Sequence, residues 1–87
     1  MIKAAKQMSK VYFYTKENCS LCEEARAIIL LLQKYYPFEL VERDIYTNDA
    51  WLEEYQLIIP AVELNGNRLN CEELNFETLE ETLKQNL

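Results

Sequence analysis

Histidine is absent from this sequence, and glycine, proline and cysteine are scarce, with one, two and three residues in 87. Without histidine, the chain cannot form a protease-type triad that uses imidazole, nor a mixed Cys/His zinc site. Three cysteines are odd in number and too few for the disulfide framework of a small secreted scaffold. A chain of this length holds one domain, and its apolar residues, 49% of the total, must therefore supply the core.

Acidic residues outnumber basic ones by 15 to 9, which gives a formal net charge of -6. Because phosphates and anionic membranes are bound through Lys and Arg, we expect neither a nucleic acid nor a membrane as a partner. The longest apolar run, residues 27–32, is too short to cross a bilayer, and the basic residues 1–10 lack a signal-peptide core. We expect a soluble, cytoplasmic monomer, with residues 1–9 as a flexible extension and residues 10–87 as the domain.

The pattern of apolar and turn-forming residues predicts the order β-α-β-α-β-β-α. A strand, helix and strand at the start imply a parallel, right-handed crossover, whereas Asn65-Gly66 is a strong signal for an antiparallel hairpin. The fold class is therefore α/β, a four-stranded mixed sheet flanked by helices. The predicted strands are residues 11–14, 38–45, 61–64 and 68–69, and the predicted helices run from about 19 to before Pro37, over 51–55 and over 72–86. Thr47, Asn48 and Asp49 are the helix-start residues predicted before the second helix.

The first predicted helix carries apolar residues at helical spacing, and these define its inward face. They are Leu21, Ala25, Ile28 and Leu32. Asn18 or Ser20 is the expected N-cap residue, because short polar side chains accept hydrogen bonds from the first backbone amides of a helix.

Two cysteines, Cys19 and Cys22, stand where the first strand passes into this helix. The unpaired amides and partial positive charge of a helix N-terminus favour a thiolate over a thiol. Cys19, first and more exposed, is the predicted nucleophile. Cys22 shares its side of the helix with Ala25 and Ile29, so it is the predicted resolving cysteine, which attacks a mixed disulfide formed at Cys19.

Two other interpretations of the pair stay open. A C-x-x-C pair is also half of a zinc site, for which Cys71 would supply a third ligand and a carboxylate a fourth. Free cysteines are also plain core residues, because the thiol behaves as a small apolar group. For Cys71 itself we expect a half-buried apolar role, with a regulatory or second resolving thiol as the alternative.

Carboxylates crowd the pair in the sequence, since Glu17, Glu23 and Glu24 are all near it. Like charges oppose the effect of the helix N-terminus on a thiolate. We therefore expect Cys19 to react poorly with acidic substrates.

Three segments together resemble a known family. Residues 14–22, Tyr-Thr-Lys-Glu-Asn-Cys-Ser-Leu-Cys, resemble the glutaredoxin and thioredoxin-like signature. Residues 58–62 resemble the cis-proline segment of the family, and residues 64–66 resemble the hairpin that follows it. The resemblance covers roughly residues 10–86, and it is closest to small glutaredoxin-like proteins with a C-x-L-C motif.

This resemblance implies a thioredoxin-like fold and a thiol-disulfide oxidoreductase. Cys19 and Cys22 take the nucleophilic and resolving roles. Pro60 would be cis and lie against the pair, although its position also suits the first residue of a strand. The backbone of Ile59 would pair with a bound substrate, and Lys16 would stabilise the Cys19 thiolate or meet a substrate carboxylate.

The resemblance also implies partners: a disulfide-containing protein or small thiol as substrate, and glutathione or a thioredoxin-reductase-type system as reductant, with no bound cofactor. Ser20-Leu21 replaces the usual Pro-Tyr between the cysteines, and Asn70-Cys71 stands where glutaredoxins have a Gly-Gly pair that helps hold glutathione. Side chains there narrow the groove, which argues against glutathione. A non-catalytic thioredoxin-like interaction domain and a metal-binding module are the alternatives.

Overall fold

A computed structural model describes residues 8–87 and contains a four-stranded sheet in the order β2-β1-β3-β4. β1 pairs parallel with β2 and antiparallel with β3, and β3 pairs antiparallel with β4, so the predicted mixed α/β sheet is confirmed. No helix in this part of the chain is long and apolar enough to span a membrane. The elements are β1 (Ser9–Thr15), α1 (Ser20–Gln33), β2 (Phe38–Asp44), a 3₁₀ turn (Ile45–Thr47), α2 (Asp49–Tyr55), β3 (Ala61–Leu64), β4 (Asn67–Leu69) and α3 (Phe76–Asn86).

The predicted N-terminal extension falls mostly outside the described residues, which exclude positions 1–7. Ser9, which we assigned to that extension, is the first residue of β1 and pairs with Phe38 at the start of β2. The strand therefore reaches one residue further back than the domain boundary expected from the sequence.

Both faces of the sheet are covered by apolar packing, because successive side chains of a strand point to opposite faces. Val11 and Phe13 of β1 belong to the main core, which lies between the sheet and the helices α1 and α3. Tyr14 points the other way, into a second cluster beneath α2. This second cluster comprises Tyr14, Ile45, Tyr55 and Ala61.

The buried face of α1 contains Ala25, Ile29 and Leu32 on the side of Cys22, as predicted, but it is narrower than the predicted face. Leu21 is 59% exposed, so its predicted place in the core is wrong, and Ile28 is only half-buried. Residues 27–32 are apolar on every side of the helix, so periodicity alone does not select a face, and contact with the sheet does. The buried residues of α1 are Cys22, Ala25, Ile29 and Leu32.

The last helix starts later than predicted, at Phe76 instead of residue 72. The Asn75 side chain accepts a hydrogen bond from the Thr78 amide at 2.9 Å, and the Thr78 hydroxyl accepts one from the Asn75 amide at 3.1 Å. This reciprocal capping box begins the helix there. Cys71 consequently lies in a separate turn, residues 70–74, and not in the last helix.

Two polar turns are where the sequence predicts them. The Asn48 side chain caps α2 by accepting hydrogen bonds from the amides of Ala50 and Trp51 at 2.9 and 3.2 Å. Asn65 and Gly66 join β3 to β4 with φ values of 51° and 82°, the left-handed conformations of a tight hairpin.

Candidate redox site

Cys19 and Cys22 are joined by a disulfide, with their Cα atoms 5.2 Å apart. Cys22 is fully buried in the main core, whereas Cys19 is half-buried. The backbone N–H of Cys22 donates a hydrogen bond to the Cys19 Sγ at 3.1 Å. A backbone donor directed at a sulfur at a helix N-terminus is an arrangement that favours a thiolate over a thiol.

Cys19 is itself the N-cap residue of α1, so the predicted cap at Asn18 or Ser20 is wrong. Asn18 adopts a φ of 55°, in the left-handed region, and the chain has no glycine in this loop. Asparagine tolerates that conformation better than most residues. Asn18 therefore turns the chain, which brings the Cys19 sulfur over the first amides of the helix.

The Ile59–Pro60 peptide bond is cis, which is the conformation that the resemblance implies. Pro60 is buried and Ile59 half-buried, and Ile59 packs against the core cluster that contains Cys22. Pro60 and Leu21, which lies between the two cysteines, border a cavity of about 100 Å³. We call this cavity the Pro60 cleft; its lining residues are Leu21, Glu24, Ala25, Ile28, Pro60, Cys71 and Leu74.

The turn over residues 70–74 is tied to the cis-proline loop, because the Cys71 amide donates to the Ile58 carbonyl at 3.0 Å. Within the turn, the Asn70 side chain accepts hydrogen bonds from the Glu72 and Glu73 amides at 2.9 and 3.1 Å. The Glu73 carboxylate accepts one from the Asn70 amide at 3.0 Å. This self-capped turn was not predicted, although its Asn-x-x-Glu spacing resembles a capping box.

Lys16 lies in the exposed loop after β1, in a cleft of about 460 Å³. We call it the Lys16 cleft; its lining residues are Lys16, Glu17, Asp44 and Tyr46. Among the described residues, Lys16 forms no ion pair, and the Tyr46 side chain is 64% exposed. Asp44 and Tyr46 were not predicted as site residues, because only the parallel pairing of Thr15 with Asp44 brings the end of β2 beside the redox loop.

Residues 10–84 match the family described as Glutaredoxin-like domain (DUF836). This chain belongs to that family. The solution NMR structure of protein Ne2328 from Nitrosomonas europaea is 26% identical, with a TM-score of 0.73 over 94% of this chain and 99% of that one. Fasciola hepatica thioredoxin is 19% identical, with a TM-score of 0.72 over 94% and 84% of the two chains.

Mitochondrial thioredoxin 3 from Saccharomyces cerevisiae, in its oxidized form, is 18% identical, with a TM-score of 0.71 over 92% of this chain and 80% of that one. The two thioredoxins are similar in fold over most of their length. The predicted thioredoxin-like fold is therefore confirmed, and the Cys19–Cys22 disulfide gives this glutaredoxin-like domain the potential for redox chemistry.

A metal site in this glutaredoxin-like domain would require Cys71 and a carboxylate close to the pair. Within residues 8–87, no group of three or more Cys, Asp or Glu side chains is arranged to hold a metal ion. Cys71 is a free, half-buried thiol that borders the Pro60 cleft.

An aromatic cluster on the α2 side of the glutaredoxin-like domain supports the strand that leads to the redox loop. The rings of Tyr14 and Tyr55 are stacked with centroids 3.8 Å apart. The Arg43 guanidinium lies 4.1 Å from the Tyr12 ring centroid and 4.8 Å from that of Trp51. It also donates a hydrogen bond to the Tyr14 hydroxyl at 2.7 Å. These contacts hold α2 against β1 and β2.

Proposed function

We propose that this glutaredoxin-like domain is a thiol-disulfide oxidoreductase that works through Cys19 and Cys22. The observation that carries the proposal is the disulfide at the start of α1, with the Cys22 amide directed at the Cys19 sulfur at 3.1 Å. A pair of cysteines with a role only in packing would not need a helix-terminal amide on the more exposed sulfur. The cis bond before Pro60, beside the same helix, supports the proposal further.

The difference in burial supports a nucleophilic role for Cys19 and a resolving role for Cys22. The Cys19 thiolate attacks a substrate disulfide, forms a mixed disulfide, and releases the first substrate thiolate, which takes up a proton. The Cys22 thiol then loses its proton, and its thiolate attacks the Cys19 sulfur. The second substrate thiolate leaves and takes up a proton. Two electrons pass from the dithiol to the substrate, and the Cys19–Cys22 disulfide remains. Cys22, fully buried, is reached by Cys19 and not by an external disulfide.

Substrate positioning is proposed for three further residues. The backbone of Ile59 pairs with an extended segment of the substrate, and the adjacent cis Pro60 borders the cleft next to Leu21. Lys16, exposed in its own cleft, meets a polar group of the substrate or the Cys19 thiolate.

The proposed electron donor is a thioredoxin-reductase-type system and not glutathione. The resemblance to glutaredoxins matches Asn70 and Cys71 to the Gly-Gly pair of those proteins, and the amides of Glu72 and Glu73 are already bonded to the Asn70 side chain. Few donors are left there for a glutathione carboxylate. We propose that the domain acts as a monomer in the cytoplasm, a reducing compartment in which a free thiol such as that of Cys71 persists.

The proposal is tested by replacing each cysteine with serine and measuring the reduction of insulin disulfides by dithiothreitol. Cys19→Ser is expected to lower the rate to that without protein, because the attacking thiolate is lost. Cys22→Ser, reduced and then freed from dithiothreitol, is expected to accumulate a mixed disulfide with insulin, visible by mass spectrometry and released when dithiothreitol is added back. Insulin reduction by Cys19→Ser at the wild-type rate would contradict the proposal.

Titration of free thiols in the unfolded protein gives a control that does not depend on the substrate. The oxidised wild type is expected to show only the Cys71 thiol, and reduction should expose the two thiols of the pair as well. Cys71→Ser should show no free thiol when oxidised and should recover both thiols of the pair on reduction. A free thiol in the oxidised variant would indicate that Cys71 takes part in the pairing.

A further inference from the structure

Carboxylates border the Lys16 cleft and the Pro60 cleft, which are lined by Glu17 and Leu21, close neighbours of the two cysteines in the chain. If the proposed function holds, on which this inference rests, these charges act on every substrate that reaches Cys19. We infer that the preferred substrate is a peptide or protein disulfide with Lys or Arg residues next to its cysteines.

The Lys16 cleft has more negative than positive charge. Its lining contains the carboxylates of Glu17 and Asp44 against the single ammonium group of Lys16. The ring of Tyr46, 64% exposed, offers a face on which a Lys or Arg side chain can pack. The cleft holds about 460 Å³, which is space for a side chain of that length.

The Pro60 cleft combines an apolar wall with one carboxylate. Leu21, Ile28 and Leu74 supply apolar surface, and Leu21 is 59% exposed. Glu24 is the charged residue of the lining and is itself exposed. Lys and Arg side chains bury their methylene stems along apolar surface and keep the charged end in water, so they match this lining.

The turn that closes the Pro60 cleft offers little to an anion. The Glu72 and Glu73 amides donate to the Asn70 side chain, and the Asn70 amide donates to the Glu73 carboxylate. Glu72 and Glu73 also add two exposed carboxylates to this side of the site. An anionic disulfide, such as glutathione disulfide, therefore meets negative charge instead of free donors.

Nearby cations do not cancel this charge. Arg26, on the same helix, is paired with Glu42 at 3.0 Å. A cleft with charge of one sign raises the local concentration of oppositely charged substrates and increases association rates by about 10- to 1,000-fold at low ionic strength. Salt screens this attraction, because the Debye length falls from about 30 Å at 0.01 M to about 3 Å at 1 M.

The experiment measures single-turnover reduction of two disulfide-linked peptides by the protein, reduced with dithiothreitol and then freed from it. The peptides are identical except that Lys or Glu flanks the cysteine. Each rate is divided by the rate of the same peptide with 2-mercaptoethanol, an uncharged thiol, which removes differences in the intrinsic reactivity of the disulfides. We expect a preference of about tenfold or more for the Lys peptide at low salt, declining toward equality at about 1 M salt.

Variants in which one carboxylate is neutralised identify the residues responsible for the preference for the Lys peptide. Glu17→Gln and Glu24→Gln should each reduce the preference several-fold. A change in the reactivity of Cys19 would alter both peptide rates equally, so it does not affect their ratio. Glu39→Gln is the matched control. Glu39 is exposed on β2 beside Lys10, five residues before Asp44, and therefore roughly 16 Å from the redox end of the sheet. It should leave the preference unchanged.

The outcomes separate this inference from the function on which it rests. Equal normalised rates for both peptides at low salt, with Cys19→Ser inactive, would overturn the charge preference and leave the proposed function standing. A preference that Glu39→Gln reduces as much as Glu17→Gln and Glu24→Gln would also overturn it. If neither peptide is reduced faster by the wild type than by Cys19→Ser, the proposed function itself fails.

Discussion

Tyr55 is the residue whose ionisation is most clearly altered by the fold. Burial raises the pKa of its phenol to about 12; the hydrogen bond from Arg68 opposes this shift, and the stacked Tyr14 adds to it. The carbonyl of Tyr55 also accepts a hydrogen bond from the Ile58 amide at 2.9 Å. The backbone of Tyr55, whose side chain is buried, therefore holds the start of the loop that leads to Pro60.

This pKa shift predicts a loss of stability at alkaline pH. An unfolded tyrosine loses its proton near pH 10, whereas Tyr55 in the folded chain keeps its proton to about pH 12. Between these values the unfolded state binds fewer protons, so the stability present below about pH 10 is lost as the pH rises toward about 12. Urea midpoints measured from about pH 9 to about pH 11 should fall, and Tyr55→Phe should flatten the decline.

Tyr35→Phe is the matched control, because Tyr35 is 72% exposed. It should keep the wild-type pH dependence. The same slope in Tyr55→Phe and the wild type would show that the Tyr55 phenol is not responsible for the decline.

Local spacing was enough to find some site residues and not others. Cys19 and Cys22 are three residues apart at a strand-to-helix junction, so the sequence alone indicates the pair. Asp44 and Tyr46 join Lys16 only through the pairing of β1 with β2, which brings together residues far apart in the chain. No pattern in the sequence around Asp44 and Tyr46 indicates that they lie in the same cleft as Lys16.

At the scale of elements, α1 shows how an apolar helix chooses its buried face. Ile29 is fully buried and Leu31, two residues later, is 42% exposed. Both belong to the apolar run of residues 27–32, and the sequence does not distinguish them. The sheet on one side and α3 on the other select the row that contains Ile29.

The choice of face predicts unequal effects of similar substitutions. Ile29→Ala leaves a cavity in the main core and should lower the free energy of unfolding by about 2–5 kcal/mol. Leu31→Ala removes a side chain that is partly in solvent and should cost less than about 1 kcal/mol. Urea denaturation followed by far-ultraviolet circular dichroism measures both. Equal losses would contradict the orientation of the helix.

How well the sequence predicted the start of each helix depended on how clearly one capping residue stood out. Asn48 was recognised as a helix-start residue and caps α2. For α3, the acidic residues after Cys71 favoured a helix start at residue 72, which is too early. Two capping residues follow each other in this segment: Asn70 caps the turn and Asn75 caps the helix. Competition between successive caps is settled by which segment packs on the core, and Leu79 and Leu83 place α3 there.

The whole molecule carries a net charge of -6, and two ion pairs, Arg26–Glu42 and Arg68–Glu54, are present in residues 8–87. Their side chains are between 33% and 58% exposed, so each pair contributes only about 0–1 kcal/mol. Repulsion among the remaining carboxylates works against the compact state.

Salt should therefore stabilise the domain at neutral pH. Raising NaCl from about 0.01 M to about 0.15 M shortens the Debye length from about 30 Å to about 8 Å and screens the repulsion, so the urea midpoint should rise. A variant with Glu39, Glu53 and Glu81 changed to Gln should start from a higher midpoint and respond less to salt. A midpoint that falls with salt would show that the ion pairs outweigh the repulsion.

The sequence by itself determined the class of this domain. Alternating strands, the Asn65-Gly66 hairpin and the spacing of Cys19 and Cys22 are local patterns, and local patterns specify element type and order. Only the tertiary structure decided which apolar residues of α1 are buried and that Asp44 and Tyr46 line one cleft with Lys16. These features depend on contacts between segments distant in the chain, whose geometry exists only once the sheet and helices pack together.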